Sequence, residues 1–220
     1  MVDELLSDEE RAEALRDWWR DNWAWIIGGV VLGVAVLFGW RYWSVHTDTR
    51  AEQAGVLFQD LETAARSQDV AKVQETLDKL TADYASTPYT QQGRLLLAKL
   101  EVEAGKFTEA ETLLRAVAAD SKDKELGEIA TLRLARIQIQ QGKYDDALKL
   151  LEPLTKGGFA AQAREIRGDA LFAKGDTEGA RAEYAAALAD TRAQIDRATV
   201  ELKLQDVGGV APAASKTGQP

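Results

Sequence analysis

Apolar residues fall along this chain in two different patterns. From Asn22 to Trp40 they form one block, NWAWIIGGVVLGVAVLFGW, 19 residues without a charge. From residue 51 to about 205 they instead recur every three or four positions among Glu, Gln, Lys and Arg, the spacing of amphipathic helices. β-Branched runs are confined to the block, and good helix formers dominate the remainder. The four prolines, Pro88, Pro153, Pro212 and Pro220, are not expected to interrupt any strong periodic run. The pattern predicts an all-α chain.

At about 1.5 Å per residue the block spans roughly 28 Å, close to the ~30 Å hydrocarbon core of a bilayer. Trp18, Trp19, Trp23 and Trp25 gather at its start and Trp40, Tyr42 and Trp43 at its end, which uses all six tryptophans. Such rings favour the headgroup level, so the ends read as two aromatic belts. The expectation is an acidic cytoplasmic tail over 1–21, a transmembrane helix over 22–43 and a juxtamembrane linker over 44–50. A cleaved signal peptide would have a basic start, about 7–15 apolar residues and a small-residue exit. Here the start is acidic and the exit is Trp40-Arg41-Tyr42-Trp43, so the helix is expected to stay attached. Arg11, Arg16 and Arg20 before the span, against Arg41 and Arg50 after it, lean towards an N-terminus inside the cell. Gly29, Gly33, Ala35 and Gly39 are small residues at the spacing that lets membrane helices approach, although ordinary membrane-helix composition explains them equally well.

Beyond the block, three segments repeat: EAGKFTEAETLL, QQGKYDDALKLL and AKGDTEGARAEY. Their glycines, Gly105, Gly142 and Gly175, lie 37 and 33 residues apart, and Ala110, Ala147 and Ala180 repeat both intervals. The period is similar to the roughly 34 residues of tetratricopeptide repeats. Each glycine suits the left-handed end of a first helix, where a Cβ is costly. Each alanine suits the close crossing of first and second helices. Leu97/Ala98, Leu134/Ala135 and Arg167/Gly168 occupy matching large-small positions, and Leu114, Leu151 and Tyr184 recur as core positions of the second helix. In the third segment Thr177 takes the slot filled by Phe107 and Tyr144, and Arg167 takes a leucine slot. Helices over 51–66 and 70–86 form an earlier unit that lacks the glycine, and 190–205 closes the array, with Ile195, Val200, Leu202 and Leu204 as its contacts. The solenoid over 51–206 thus has about four helix pairs plus a capping helix, and 207–220 reads as a disordered tail.

Counting back from the fixed alanines places Leu95, Lys99 and Val102 on the inner face of one first helix. Leu132, Arg136 and Ile139 follow in the next, then Glu165, Asp169 and Phe172. This mixture of apolar and charged residues suits an extended peptide or a partner loop, with packing between repeats as the competing account for Leu95 and Leu132.

The net charge of −9 and the lack of a basic face exclude counterion-driven nucleic-acid binding. The chain has no cysteine and a single histidine, His46, so no thiol, Ser-His-Asp or histidine-rich metal constellation can be assembled. Asp145 and Asp146 suit a helix start. No catalytic residue, cofactor or metal ligand is expected.

Gly39-Trp40-Arg41-Tyr42-Trp43, LRLARIQIQQGKYDDALKLLE from Leu132 and RGDALFAKGDTEGAR from Arg167 resemble the YfgM-like proteins, ancillary subunits of the bacterial SecYEG translocon. The resemblance runs from the N-terminal tail to about residue 206. It implies a single-pass inner-membrane protein with a periplasmic repeat domain, and no enzyme. Its implied partners are the lipid bilayer, the SecYEG translocon, a membrane-anchored prolyl-isomerase-type chaperone and unfolded secretory proteins handed to periplasmic chaperones. The alternative is a repeat scaffold for envelope assembly or signalling without nascent-chain contact.

Overall fold

A computed structural model describes residues 8–189 and 194–210, so Pro212, Pro220 and the segment 211–220 of the expected tail lie outside it, as do residues 1–7 and 190–193. Nine α-helices are described: α1 (Asp8–Arg66), α2 (Val70–Asp83), α3 (Pro88–Glu103), α4 (Phe107–Asp120), α5 (Lys124–Gln140), α6 (Tyr144–Leu151), α7 (Ala160–Lys174), α8 (Thr177–Ala189) and α9 (Arg197–Asp206). The chain divides into two compact units, residues 1–53 and 54–220.

The first unit contains one stretch, Leu15–Tyr42, long and apolar enough to cross a membrane, with mean hydropathy 2.0 and none of its most apolar window buried. Its 28 residues rise about 42 Å, matching a bilayer with its headgroup layers. Trp18, Trp19, Trp23 and Trp25 are exposed towards one end, and Trp40 and Tyr42 at the other. The side chains of Trp43 and His46 lie outside the described residues. Residues 44–50, expected as a linker, lie within α1. Ser-Val-His-Thr-Asp-Thr-Arg contains neither Gly nor Pro, so nothing there breaks the backbone ladder.

In the second unit the final turns of α1 share a core cluster with α2 and α3, α3 pairs with α4, α5 with α6 and α7 with α8, and α9 packs on α8. The sequence starts these helices with identifiable groups. Asp69, Asp123 and Asp196 accept from backbone N–H groups in the first turns of α2, α5 and α9, and Pro88 opens α3. The closing helix begins at Arg197 rather than near 190, because Asp196 caps it there. Pro153 does interrupt a periodic run. The α-helical part of α6 stops at Leu151, and a short 3-10 turn, Glu152–Thr155, follows. Pro153 has no N–H to continue the ladder.

The turns between paired helices share one backbone device. Lys106, Lys143 and Asp176 donate their N–H groups to the carbonyls of Glu101, Gln138 and Leu171, and Gly105, Gly142 and Gly175 sit at φ 74°, 75° and 93°. The earliest unit makes the same turn without glycine. Asp69 donates to Ala64, Gln68 donates to Ala65, and Gln68 itself adopts φ 56°.

The three repeat alanines, Ala110, Ala147 and Ala180, are fully buried. Beside them a size exchange appears. Ala98 shares a cluster with Leu114, and Ala135 shares one with Leu151. In the third unit the small residue is Gly168 and the large one Tyr184, whose ring occupies the space a Cβ on residue 168 would need. Gly168→Ala is therefore expected to cost about 1–3 kcal/mol. Adding Tyr184→Leu recreates the Ala135/Leu151 pairing, and a double-mutant cycle by denaturant unfolding should show favourable coupling of about 1 kcal/mol or more. Zero coupling would show that the two positions do not share the crossing.

Two further expectations change at this end. Leu202 is exposed, while Val200 and Leu204 are buried. Val207, expected in the tail, is buried in the closing cluster, and the Arg181 guanidinium donates to its carbonyl at 2.6 and 2.9 Å.

Candidate partner-binding site

The predicted inner face of α3 and α5 opens onto a groove of about 630 Å³. Leu95, Val102, Phe107, Leu114 and Ile137 give it an apolar floor and walls. Lys99, Glu103, Arg133, Arg136 and Gln140 form its polar rim. Helical spacing explains this placement: Leu95, Lys99 and Val102 repeat at four and three residues along α3, as Arg133, Arg136 and Gln140 do at three and four along α5. A second cavity of about 330 Å³ lies between the last turn of α1 and α3, and Lys99 and Glu103 line both cavities. These two residues face each other as an ion pair at 3.7 Å. The two cavities thus flank α3, the larger towards α5 and the smaller towards the last turn of α1.

The nine inner-face positions do not share one fate. Lys99, Val102 and Arg136 are exposed and line the larger cavity. Leu95 is only 8% exposed and Leu132 only 5%, each inside a core cluster, so packing between repeats accounts for most of their surface. Ile139 packs partly against the α5–α7 cluster.

In α7 the inner face is covered from within the chain. Lys203 of α9 donates to Glu165 at 2.8 Å and to Asp169 at 2.9 Å, and the Tyr184 hydroxyl donates to Asp169 at 2.8 Å. Burial opposes the Lys203 charge, but hydrogen bonds to Glu165 and Asp169 outweigh it and raise its pKa above 10.5. A raised folded pKa means this tie is fully present below about 10.5 and is lost as pH climbs through the higher folded value. Burial first, and the Asp169 charge next, push the Tyr184 phenol upwards. Phe172, one turn further along α7, stays 53% exposed.

Arg167, the residue in a leucine slot, joins a polar crossing rather than an apolar one. It reaches Glu183 at 2.8 Å and Glu152 at 2.7 Å. Sequence spacing missed Arg133, Glu103 and Gln140 because it followed a single stripe per helix. A groove wall is two stripes wide, and Arg133, three residues before Arg136, was the available signal.

In the first unit, a Cβ added at Gly29, Gly33 or Gly39 would meet no atom of another element within 4 Å. That small-residue face is therefore open among the described residues. No group of three or more metal-binding side chains occurs among the described residues.

Comparison with known proteins gives this geometry a context. The chain matches the family described as a tetratricopeptide repeat-like domain over residues 16–209. A protein of Escherichia coli (strain K12) named ancillary SecYEG translocon subunit is 34% identical over 180 residues, covering 82% of this chain and 86% of that protein. Its namesake in Haemophilus influenzae is 30% identical over 202 residues, covering 92% of this chain and 98% of its own. Another, in Aggregatibacter actinomycetemcomitans, is 28% identical over 202 residues, covering 92% and 98%. Four helix pairs with left-handed turns, a closing helix, an apolar N-terminal helix and these matches together show that the chain belongs to the tetratricopeptide repeat-like family, as one of its YfgM-like members.

Proposed function

We propose that this protein is a non-enzymatic interaction module held at the SecYEG translocon, with the Leu15–Tyr42 helix as its single inner-membrane anchor. In this reading the repeat unit lies in the periplasm, meets secretory proteins as they emerge and passes them to a membrane-anchored chaperone of the prolyl-isomerase type. The observation that carries it is the groove between α3 and α5, an apolar floor with a mixed-charge rim, on a chain whose relatives are named translocon subunits. A groove of this chemistry suits extended polypeptide, whose side chains on one face can reach floor and rim together.

Charge reversal of Lys99 and Arg136 to Glu tests the site. Both side chains are exposed, so folding should change by no more than about 0.5 kcal/mol. Capture is read with a membrane-impermeant crosslinker added to spheroplasts, so that only a repeat unit outside the inner membrane reacts. The parent chain should yield translocon and chaperone adducts, and the double variant should yield markedly fewer. Undiminished capture would move the interface away from the groove, and no capture by the parent would refute the periplasmic reading.

A further inference from the structure

Most arginines of the repeat unit are already occupied. Arg66, Arg94, Arg115, Arg164 and Arg167 each lie within ion-pair distance of a carboxylate. Arg181 and Arg197 donate to the backbone carbonyls of Val207 and Leu188. Arg133 and Arg136 differ: both are exposed, and neither pairs with a carboxylate among the described residues. They stand three residues apart on one face of α5, over the apolar floor formed by Leu95, Val102 and Ile137.

Their setting has an unusual sign for this chain, whose net charge is −9. On the groove rim Lys99, Arg133 and Arg136 face one acid, Glu103, which Lys99 already engages. The groove is therefore locally positive on a protein that elsewhere repels acids. A guanidinium fork matches a carboxylate in two parallel hydrogen bonds, and such pairs strengthen beside apolar surface that excludes water.

Resting on the reading of this groove as the partner site, we propose that it selects extended protein segments carrying a large apolar side chain within two residues of an Asp or Glu. The apolar group enters the cavity between α3 and α5, and the carboxylate meets Arg133 and Arg136. An extended segment places same-face side chains about 6.6–6.8 Å apart, within reach of both features. Basic segments are disfavoured at the same rim.

The test uses the full chain in lipid nanodiscs and three short fluorescent peptides of equal length. One repeats Leu-Ser-Glu-Ser, the second Leu-Ser-Lys-Ser and the third Ser-Ser-Glu-Ser, so that the apolar and charged side chains fall on one face of the extended segment. Fluorescence anisotropy should show the Leu/Glu peptide binding on the order of tenfold tighter than either other peptide. Arg133→Glu with Arg136→Glu should reverse the preference between the Glu and Lys peptides. Arg133→Gln with Arg136→Gln should abolish it, which keeps the reading testable if reversal disturbs the fold. Equal binding of the Leu/Glu and Leu/Lys peptides by the parent, or a preference unchanged in both variants, would overturn the proposal. So would a shift in the mass of the parent particle that only the variants relieve, since a second copy of the chain would then fill the groove. Translocon capture by the parent chain is scored separately. Its loss refutes the interaction-module reading, whereas a lack of charge preference refutes only the peptide chemistry proposed here.

Discussion

Arginine in place of both Leu32 and Val34 should release the chain from the membrane. The two side chains lie well inside the Leu15–Tyr42 stretch and are exposed. Each arginine at a bilayer centre costs roughly 2.5–3.5 kcal/mol on insertion scales. Two together cost about 5–7 kcal/mol, which shifts the insertion equilibrium by several orders of magnitude. Val34 lies roughly 9 Å along the helix from Trp40, and Leu32 roughly 10 Å from Trp25, so snorkelling offsets only part of the cost. Alkaline carbonate extraction reads the result: the parent chain should stay in the pellet and the double variant should move to the supernatant. A variant retained in the pellet would show that something other than this helix anchors the protein.

Ala147→Trp should produce the largest loss of stability within the repeats. Ala147 is fully buried among Leu132, Ala135, Leu151, Ala163 and Ile166, which come from α5, α6 and α7. An indole there must push apart two helix pairs rather than one, so the cost should reach the upper end of overpacking, about 3 kcal/mol. For a unit of this size that lowers the melting temperature by roughly 6–12 °C. Lys149→Trp, two residues on and exposed, is the control and should change stability by no more than about 0.5 kcal/mol. Equal melting temperatures for the two variants would mean that residue 147 does not lie at the crossing.

The repeats were legible because their signal is steric. A left-handed turn and a close crossing each tolerate few residue types, so Gly105, Gly142, Gly175 and the three alanines stand out by spacing alone. The earliest repeat hid the same turn because Gln68 adopts the left-handed conformation there, held by backbone hydrogen bonds that leave no mark on composition. The anchor was legible from length and aromatic placement. Its neighbouring helical residues 44–50 were not, since polar residues without Gly or Pro are as compatible with helix as with linker. At the candidate site, periodicity located Lys99, Val102 and Arg136 on the groove. It could not foresee that Glu165 and Asp169, on the equivalent face of α7, are taken by Lys203, because that contact joins residues 38 and 34 positions apart. Periodicity assigns a residue to a face; only the tertiary fold shows what covers that face.

The exchange of Ala and Leu for Gly168 and Tyr184 also changes the chemistry at the end of the array. At the crossing of α5 and α6 the contact of Ala135 and Leu151 is purely apolar, and α7 packs beside it. The crossing of α7 and α8 carries a phenol that donates to Asp169, and a lysine from a single short helix joins Asp169 to Glu165. A further helix pair stacked on α7 and α8 would have to displace Lys203, leaving two carboxylates facing an apolar surface with no cation between them. At this end a single lysine takes the place that a further helix pair would otherwise cover, beside the tyrosine for which Gly168 makes room.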